Sequence, residues 1–285
     1  MKRLNKIFTS IVAFIMLFTM CFSLTGCIED IKRVELTIAV YDYENNKMYD
    51  QSDVTLTIDL YRHLAPNTVD AIMSYVEDGY YNNTIFYKMQ GRDSQLMIGD
   101  LKLNGEVIEQ NAIKPTINGE FEKGGTQGSN LVSKKGSIGL WRTWNAYDGS
   151  YTTSTSTDTG RATWYIPTET ISSYDTWFCI FAQINLEDES NSQAITAITD
   201  AFGSNGYYEE YEIYYTGDYN SEKANENYGL TFNMVEKDNF IESNIPDLFE
   251  AEGAEYVCYN HYTVKIPVTE AGGAIAAKIV SAKLV

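Results

Sequence analysis

The alternation of apolar and polar positions is most regular over residues 54–87. Val54, Leu56, Ile58 and Leu60 alternate with Thr55, Thr57 and Asp59, the period of two that gives a strand one buried and one wet face. Val69, Ile72, Met73 and Val76 then recur at helical spacing behind Pro66, a residue tolerated in the first turn because its missing N–H has no partner there, and Gly79 offers a left-handed stop. After the turn-forming Asn82-Asn83 pair, Thr84, Ile85, Phe86 and Tyr87 return to strand character. Upstream, Val34, Leu36, Ile38 and Val40 form another alternating run, and the polar residues 42–53 turn the chain back, so the two runs read as a hairpin. Downstream, Ala194, Ile195 and Ile198 share one face of a helix expected over residues 190–202, with Gly203 at its end.

The first 26 residues follow a different pattern. Lys2, Arg3 and Lys6 precede a largely apolar run over residues 7–22, and Leu24-Thr25-Gly26-Cys27 closes it. That arrangement is similar to a bacterial lipoprotein signal, with an ordinary secretory signal or a membrane helix as the plainer readings. The expectation is a leader over residues 1–26, a lipid on Cys27, a short tether over residues 27–33 and a location in the bacterial cell envelope, outside the cytoplasm.

Charge narrows the partners. With 39 acidic against 21 basic residues the net charge is −18, which argues against nucleic acid and against anionic lipid headgroups, so an anchor has to come from the lipid itself. No Cys/His spacing of a metal site, Ser/His/Asp grouping, Gly-rich phosphate loop or dinucleotide fingerprint is present, and no cofactor is expected. His63 and His261 have no partner placed by any motif. Cys179 and Cys258 each lie in an apolar run, open either to a disulfide or to two buried thiols.

Three stretches carry a family resemblance. The first is Ala65-Pro66 through Gly79-Tyr80-Tyr81 to Ile85-Phe86-Tyr87-Lys88; the second is Leu96-Met97-Ile98-Gly99-Asp100. The third is Lys114-Pro115-Thr116-Ile117-Asn118-Gly119-Glu120-Phe121, followed by Asn130-Leu131 and Lys135-Gly136-Ser137-Ile138-Gly139-Leu140 with Arg142. Together, in this order, they resemble the cyclophilin-type peptidyl-prolyl cis-trans isomerases. The resemblance implies a mainly β fold, a closed antiparallel barrel of about eight strands capped by two helices. It implies one domain over residues 34–285, ending in a strand over residues 276–285, with a late insertion at about 204–262.

It also implies a site. Rotation about an X–Pro bond is slow because the twisted amide loses its resonance, and the family answers with an apolar pocket for the ring and hydrogen-bond donors aimed at the twisted amide. Lys88 stands where the family has its catalytic Arg, supplying charge without the planar fork. The expected groove is lined by Leu96, Met97, Trp141, Thr163, Tyr165, Tyr174 and Phe178. Of these, Trp141 replaces a small Ala, Thr163 a Gln, Tyr165 a Phe and Phe178 a His. The function implied is prolyl isomerisation of proline-containing segments of exported or envelope proteins. The alternatives are a catalytically inactive relative that binds peptides or envelope partners, and a sugar-binding surface lipoprotein. The Tyr- and Glu-dense residues 206–215 fit either a stacking platform or plain strands covering the barrel.

Overall fold

The computed structural model of the chain describes residues 30–49, 54–121, 131–142, 160–203, 206–216, 231–239 and 262–285, and the side chains of 214–216 and 231 fall outside this set. Residues 1–29, with Cys27, and Cys258 also lie outside it. By its internal contacts the chain divides into Met1–Asp30 and Ile31–Val285, and all that follows concerns the second unit.

The alternating run near the start becomes β1 (Ile31–Asp42), which turns through β2 (Lys47–Met48) and pairs antiparallel with β3 (Thr55–Tyr61). Val34 faces Ile58 and Leu36 faces Leu56, so one register puts the alternating apolar residues of the hairpin on the same side. Helix α1 (Pro66–Glu77) packs on that side through Val69, Ile72 and Val76 and stops at Gly79, whose φ is +70°. The short strands β4 (Lys88–Met89), β5 (Gln95–Ile98), β6 (Leu101–Asn104) and β7 (Val107–Gln110) follow. Next come β8 (Ser137–Leu140), β9 (Trp164–Pro167) and β10 (Ile180–Ile184). Helix α2 (Glu189–Asp200) begins at Asp188, whose carboxylate accepts hydrogen bonds from the Ser190 and Asn191 amides and fills the usual vacancy at a helix start. The last strands are β11 (Tyr207–Thr216), β12 (Thr231–Glu236), β13 (Tyr262–Val268) and β14 (Ala277–Leu284).

These strands form an eight-stranded sheet in the order β14-β1-β3-β10-β8-β9-β5, with β2 beside β1, and a four-stranded sheet in the order β12-β11-β13-β4. The closed barrel expected from the resemblance is not what forms. The large sheet is an open half-barrel, because its edge strands β14 and β5 do not pair with each other. Residues 84–87 lie between those edges and reach both through single bridges, Ile85 to Lys278 and Tyr87 to Met97. The chain there alternates its bonding direction rather than running as a ladder to one neighbour.

The two faces define two cores. Inside the half-barrel Leu36, Ile38, Leu56, Ile58, Phe86, Leu96, Trp164 and Phe181 pack with both helices. A second cluster, with Tyr87, Met97, Tyr165, Tyr174, Phe178 and Ile180, is covered by Ile213, Val264 and Ile266 of the four-stranded sheet. The Tyr-rich residues are therefore strand, paired on one side with β13 and on the other with β12. Removing two such clusters from water is the main drive to fold.

Candidate functional site

The parity of the strands decides which expected site residues meet. On β5, Leu96 and Ile98 point into the half-barrel core while Met97 points to the second cluster. On β9, Trp164 and Ile166 go inward and Tyr165 goes to the cluster, where it pairs in register with Met97. The loop around Ser172–Tyr174 brings Tyr174 and Phe178 alongside, and Trp141 enters just after β8. Met97, Trp141, Tyr165, Tyr174 and Phe178 are thus brought together. Leu96 is not among them. Thr163 is partly exposed at the margin, its carbonyl accepting from the Trp141 amide at 2.8 Å.

Phe178 is the middle of a stack. Tyr174 lies 4.4 Å from it at 24°, and Trp141 lies 5.5 Å from it at 25°. Tyr165 meets Trp141, Phe178 and Tyr174 edge-on, at 6.1, 5.5 and 5.6 Å. Offset and edge-on contacts of this kind add to what burial alone contributes. Met97 and Tyr165 are 0% exposed and Phe178 2%, so the space between these side chains, expected to line a groove, is filled by the side chains themselves. A void of only about 10 Å³, bordered by Phe121, Arg142 and Cys179, lies nearby, about enough for one water. Gly139 makes the stack possible: a Cβ there would stand 2.3 Å from Tyr165 Cζ.

Lys88 sits apart from this cluster. Ile85, Tyr87 and Met89 turn toward it, whereas Phe86 goes to the half-barrel core and the Lys88 ammonium lies 5.3 Å from the centre of the Phe202 ring. The Lys88 pKa is pushed down chiefly by burial and also by Lys265, with Asp93 opposing. The cation over the cluster is instead Arg92, in the loop before β5. Its guanidinium is 5.1 Å from the Trp141 ring and donates to the Tyr174 hydroxyl, which also accepts from Gln95 Nε2 at 2.9 Å. Arg92 belongs to the polar stretch Gln90 to Ser94, and nothing in that composition distinguishes it from a solvated arginine.

The surroundings are dry and partly unsatisfied. The Tyr165 and Ser133 hydroxyls and Gln95 Oε1 are buried without a hydrogen-bond partner. Burial drives the Tyr165 phenol well above its ordinary pKa, even though nearby Ser133 offsets part of the effect. The buried Arg142 guanidinium also lies 5.2 Å from the Phe178 ring and 4.7 Å from that of Phe121, and its Nε donates to the Trp177 carbonyl at 2.7 Å. Tyr87 donates its hydroxyl to both Asp100 oxygens, at 2.7 and 2.9 Å, yet burial still raises the Asp100 carboxyl to about 6. Cys179 is a free, buried thiol, pushed up to about 12 by that burial.

Chemically the cluster offers hydrogen-bond donors over an apolar aromatic layer. Among the described residues it has no nucleophile paired with a base, and no group of three or more His, Cys, Asp or Glu converges as a metal site.

Residues 47–213 match the family model described as cyclophilin type peptidyl-prolyl cis-trans isomerase/CLD. Among solved structures, a Cryptosporidium parvum cyclophilin type peptidyl-prolyl cis-trans isomerase is similar, both in the presence of the dipeptide Ala-Pro and in a second crystal structure. Each shares 15% identity over 57% of this chain, covering 84% and 83% of theirs, with a TM-score of 0.36. No curated protein matches.

Proposed function

The chain belongs to the cyclophilin-type peptidyl-prolyl cis-trans isomerase family, and from that premise we propose that it isomerises X–Pro bonds of exported polypeptides, slowly, with Arg92 as the donor to the twisted amide. The observation that carries this reading is the Arg92 guanidinium, held by the Tyr174 hydroxyl above the aromatic layer. A planar fork of fixed donors favours a twisted amide over a planar one, which is all that this reaction asks of a catalyst. Entry of the proline ring requires Trp141 to swing off Phe178, and the energy of that movement is what makes the enzyme slow.

The test is the cis-to-trans relaxation of a short X–Pro peptide with the full chain in detergent. The expected result is a modest acceleration, cut by at least about tenfold in Arg92→Ala and by less in Lys88→Ala. An acceleration unaffected by Arg92→Ala removes the role given to that residue.

The filled pocket favours a second reading, a relative that binds peptides or envelope partners without turning them over. Peptide binding with no acceleration, in both the native chain and Trp141→Ala, selects it over the first.

The leader pattern supports an anchored, extracytoplasmic location through lipid on Cys27, where the clients would be exported or envelope proteins. Incorporation of labelled palmitate that is lost in Cys27→Ser is the expected outcome, and equal labelling of the two rules the anchor out.

A further inference from the structure

A tyrosine hydroxyl both accepts hydrogen bonds on its oxygen and donates its own proton. At Tyr174 the accepting side is filled. Arg92 Nη1 donates to the oxygen, and so does Gln95 Nε2, at 2.9 Å. The proton is left to the remaining direction, and among the described residues no group accepts it.

The arrangement is fixed from both ends. Arg92 and Gln95 come from one tight turn, closed by the Gln95 amide on the Arg92 carbonyl at 3.1 Å, and Gln95 then enters β5 with only 3% of its surface exposed. Tyr174 ends a short 3-10 turn over Ser172–Tyr174, its amide bonded to the Ile171 carbonyl at 2.9 Å. Its ring is stacked on Phe178 and met edge-on by Tyr165. Two donors, one of them cationic, draw electron density from the phenol oxygen and make its proton a stronger hydrogen-bond donor than that of a tyrosine in water. The same guanidinium lies 5.1 Å from the Trp141 ring, so this proton is held beside the side chain that must move for a proline to enter.

Twisting an X–Pro amide breaks its resonance and returns a lone pair to the prolyl nitrogen, which has none to offer while the amide is planar. A donor aimed at that nitrogen therefore bonds the transition state and neither planar ground state. We infer that the Tyr174 hydroxyl is a second catalytic group, donating a hydrogen bond to the nitrogen of the twisted amide, with Gln95 as a positioning residue behind it. Part of what Arg92 contributes then reaches the amide through this phenol. The proton is shared and not transferred, so no bond changes hands and no co-reactant is needed. The inference rests on the isomerase reading and names a further donor in the same site.

The experiment measures cis–trans exchange of a short X–Pro peptide by NMR, at limiting and at saturating peptide, with the full chain in detergent. The native chain is compared with Tyr174→Phe, which keeps the stacked ring, and with a chain carrying 3-fluorotyrosine in place of Tyr174, which keeps the hydroxyl. All are held at about pH 6, where a phenol keeps its proton. Fluorine makes the phenol a better donor and its oxygen a poorer acceptor, so donating to substrate and merely holding Arg92 move the rate in opposite directions. In Tyr174→Phe, kcat is expected to fall about tenfold or more with KM within about threefold of native, as for a bond made only in the transition state. In the fluorinated chain kcat is expected to rise. A fall on fluorination shows that the hydroxyl only holds Arg92 and overturns the inference, as does a loss in Tyr174→Phe confined to KM. No acceleration by the native chain overturns the isomerase reading and this donor with it, whereas acceleration that survives intact in Tyr174→Phe overturns the donor alone.

Discussion

Enclosing a carboxyl costs its charged form the hydration it has in water, and at Asp100 that cost exceeds the help of the Tyr87 hydroxyl, raising the group to about 6. The folded chain therefore holds a proton here that the unfolded chain has already released near pH 4. Stability linked to this group is complete below that pH and is lost as pH rises to about 6. The loss is on the order of 1–3 kcal/mol, the lower end reflecting the partial exposure of the residue. Urea unfolding of the native chain and Asp100→Asn across pH 4–7 measures it. The difference between the two should change over that window, and a constant difference would mean that Asp100 titrates normally. Gly139 is a second single-residue constraint. Any side chain there strikes the Tyr165 ring, so Gly139→Ala should destabilise by about 1–3 kcal/mol, with a red-shifted Trp fluorescence as Trp141 loses its seat. An unchanged urea midpoint would show that the stack yields easily.

Helix α1 shows what a sequence pattern reveals about an element and what it hides. Pro66, the apolar spacing and Gly79 gave its bounds, but Ala65 before it has no side-chain cap. The cap comes from Glu120, over fifty positions away, whose two oxygens accept from the Asn67 amide at 3.0 Å and the Thr68 amide at 2.8 Å. The segment ending in Glu120-Phe121, legible only as a family likeness, thus works as a clamp on a helix start. Glu120→Ala leaves both amides without their partner, that of Thr68 buried, an expected loss of about 1–3 kcal/mol. A thermal midpoint within a degree of the native one would contradict it. The strands were legible in position but not always in facing. Alternation reveals a face only where one side is wet, and residues 84–89 and 95–98 lie between two cores. With both sides apolar, nothing in the sequence says that Met97 joins Tyr165 while Leu96 does not, or that Lys88 turns to the Phe202 ring while Arg92 folds over that of Trp141.

At the scale of the molecule, the mainly β architecture and its two helices followed from periodicity and resemblance, whereas the openness of the large sheet did not, because pairing between distant edges leaves no local pattern. What spans the opening is the run from Thr84 to Tyr87. Its amides go alternately to the two sides, Ile85 to the Leu101 carbonyl and Tyr87 to that of Met97, but Phe86 to that of Ala277. The Ile279 amide returns to the Thr84 carbonyl at 2.8 Å. All four residues are at most 1% exposed. A segment bonded to both edges and buried in both cores cannot release one side without exposing the other, so its opening is tied to global unfolding rather than to fraying. Native-state hydrogen exchange should accordingly find the Ile85, Phe86 and Tyr87 amides as protected as those of β3 at the centre of the sheet, although no continuous ladder holds them. If they exchange at a free energy well below that of β3, with β14 or β5 following them, the seam is a separate unit and the half-barrel opens along it before the core gives way.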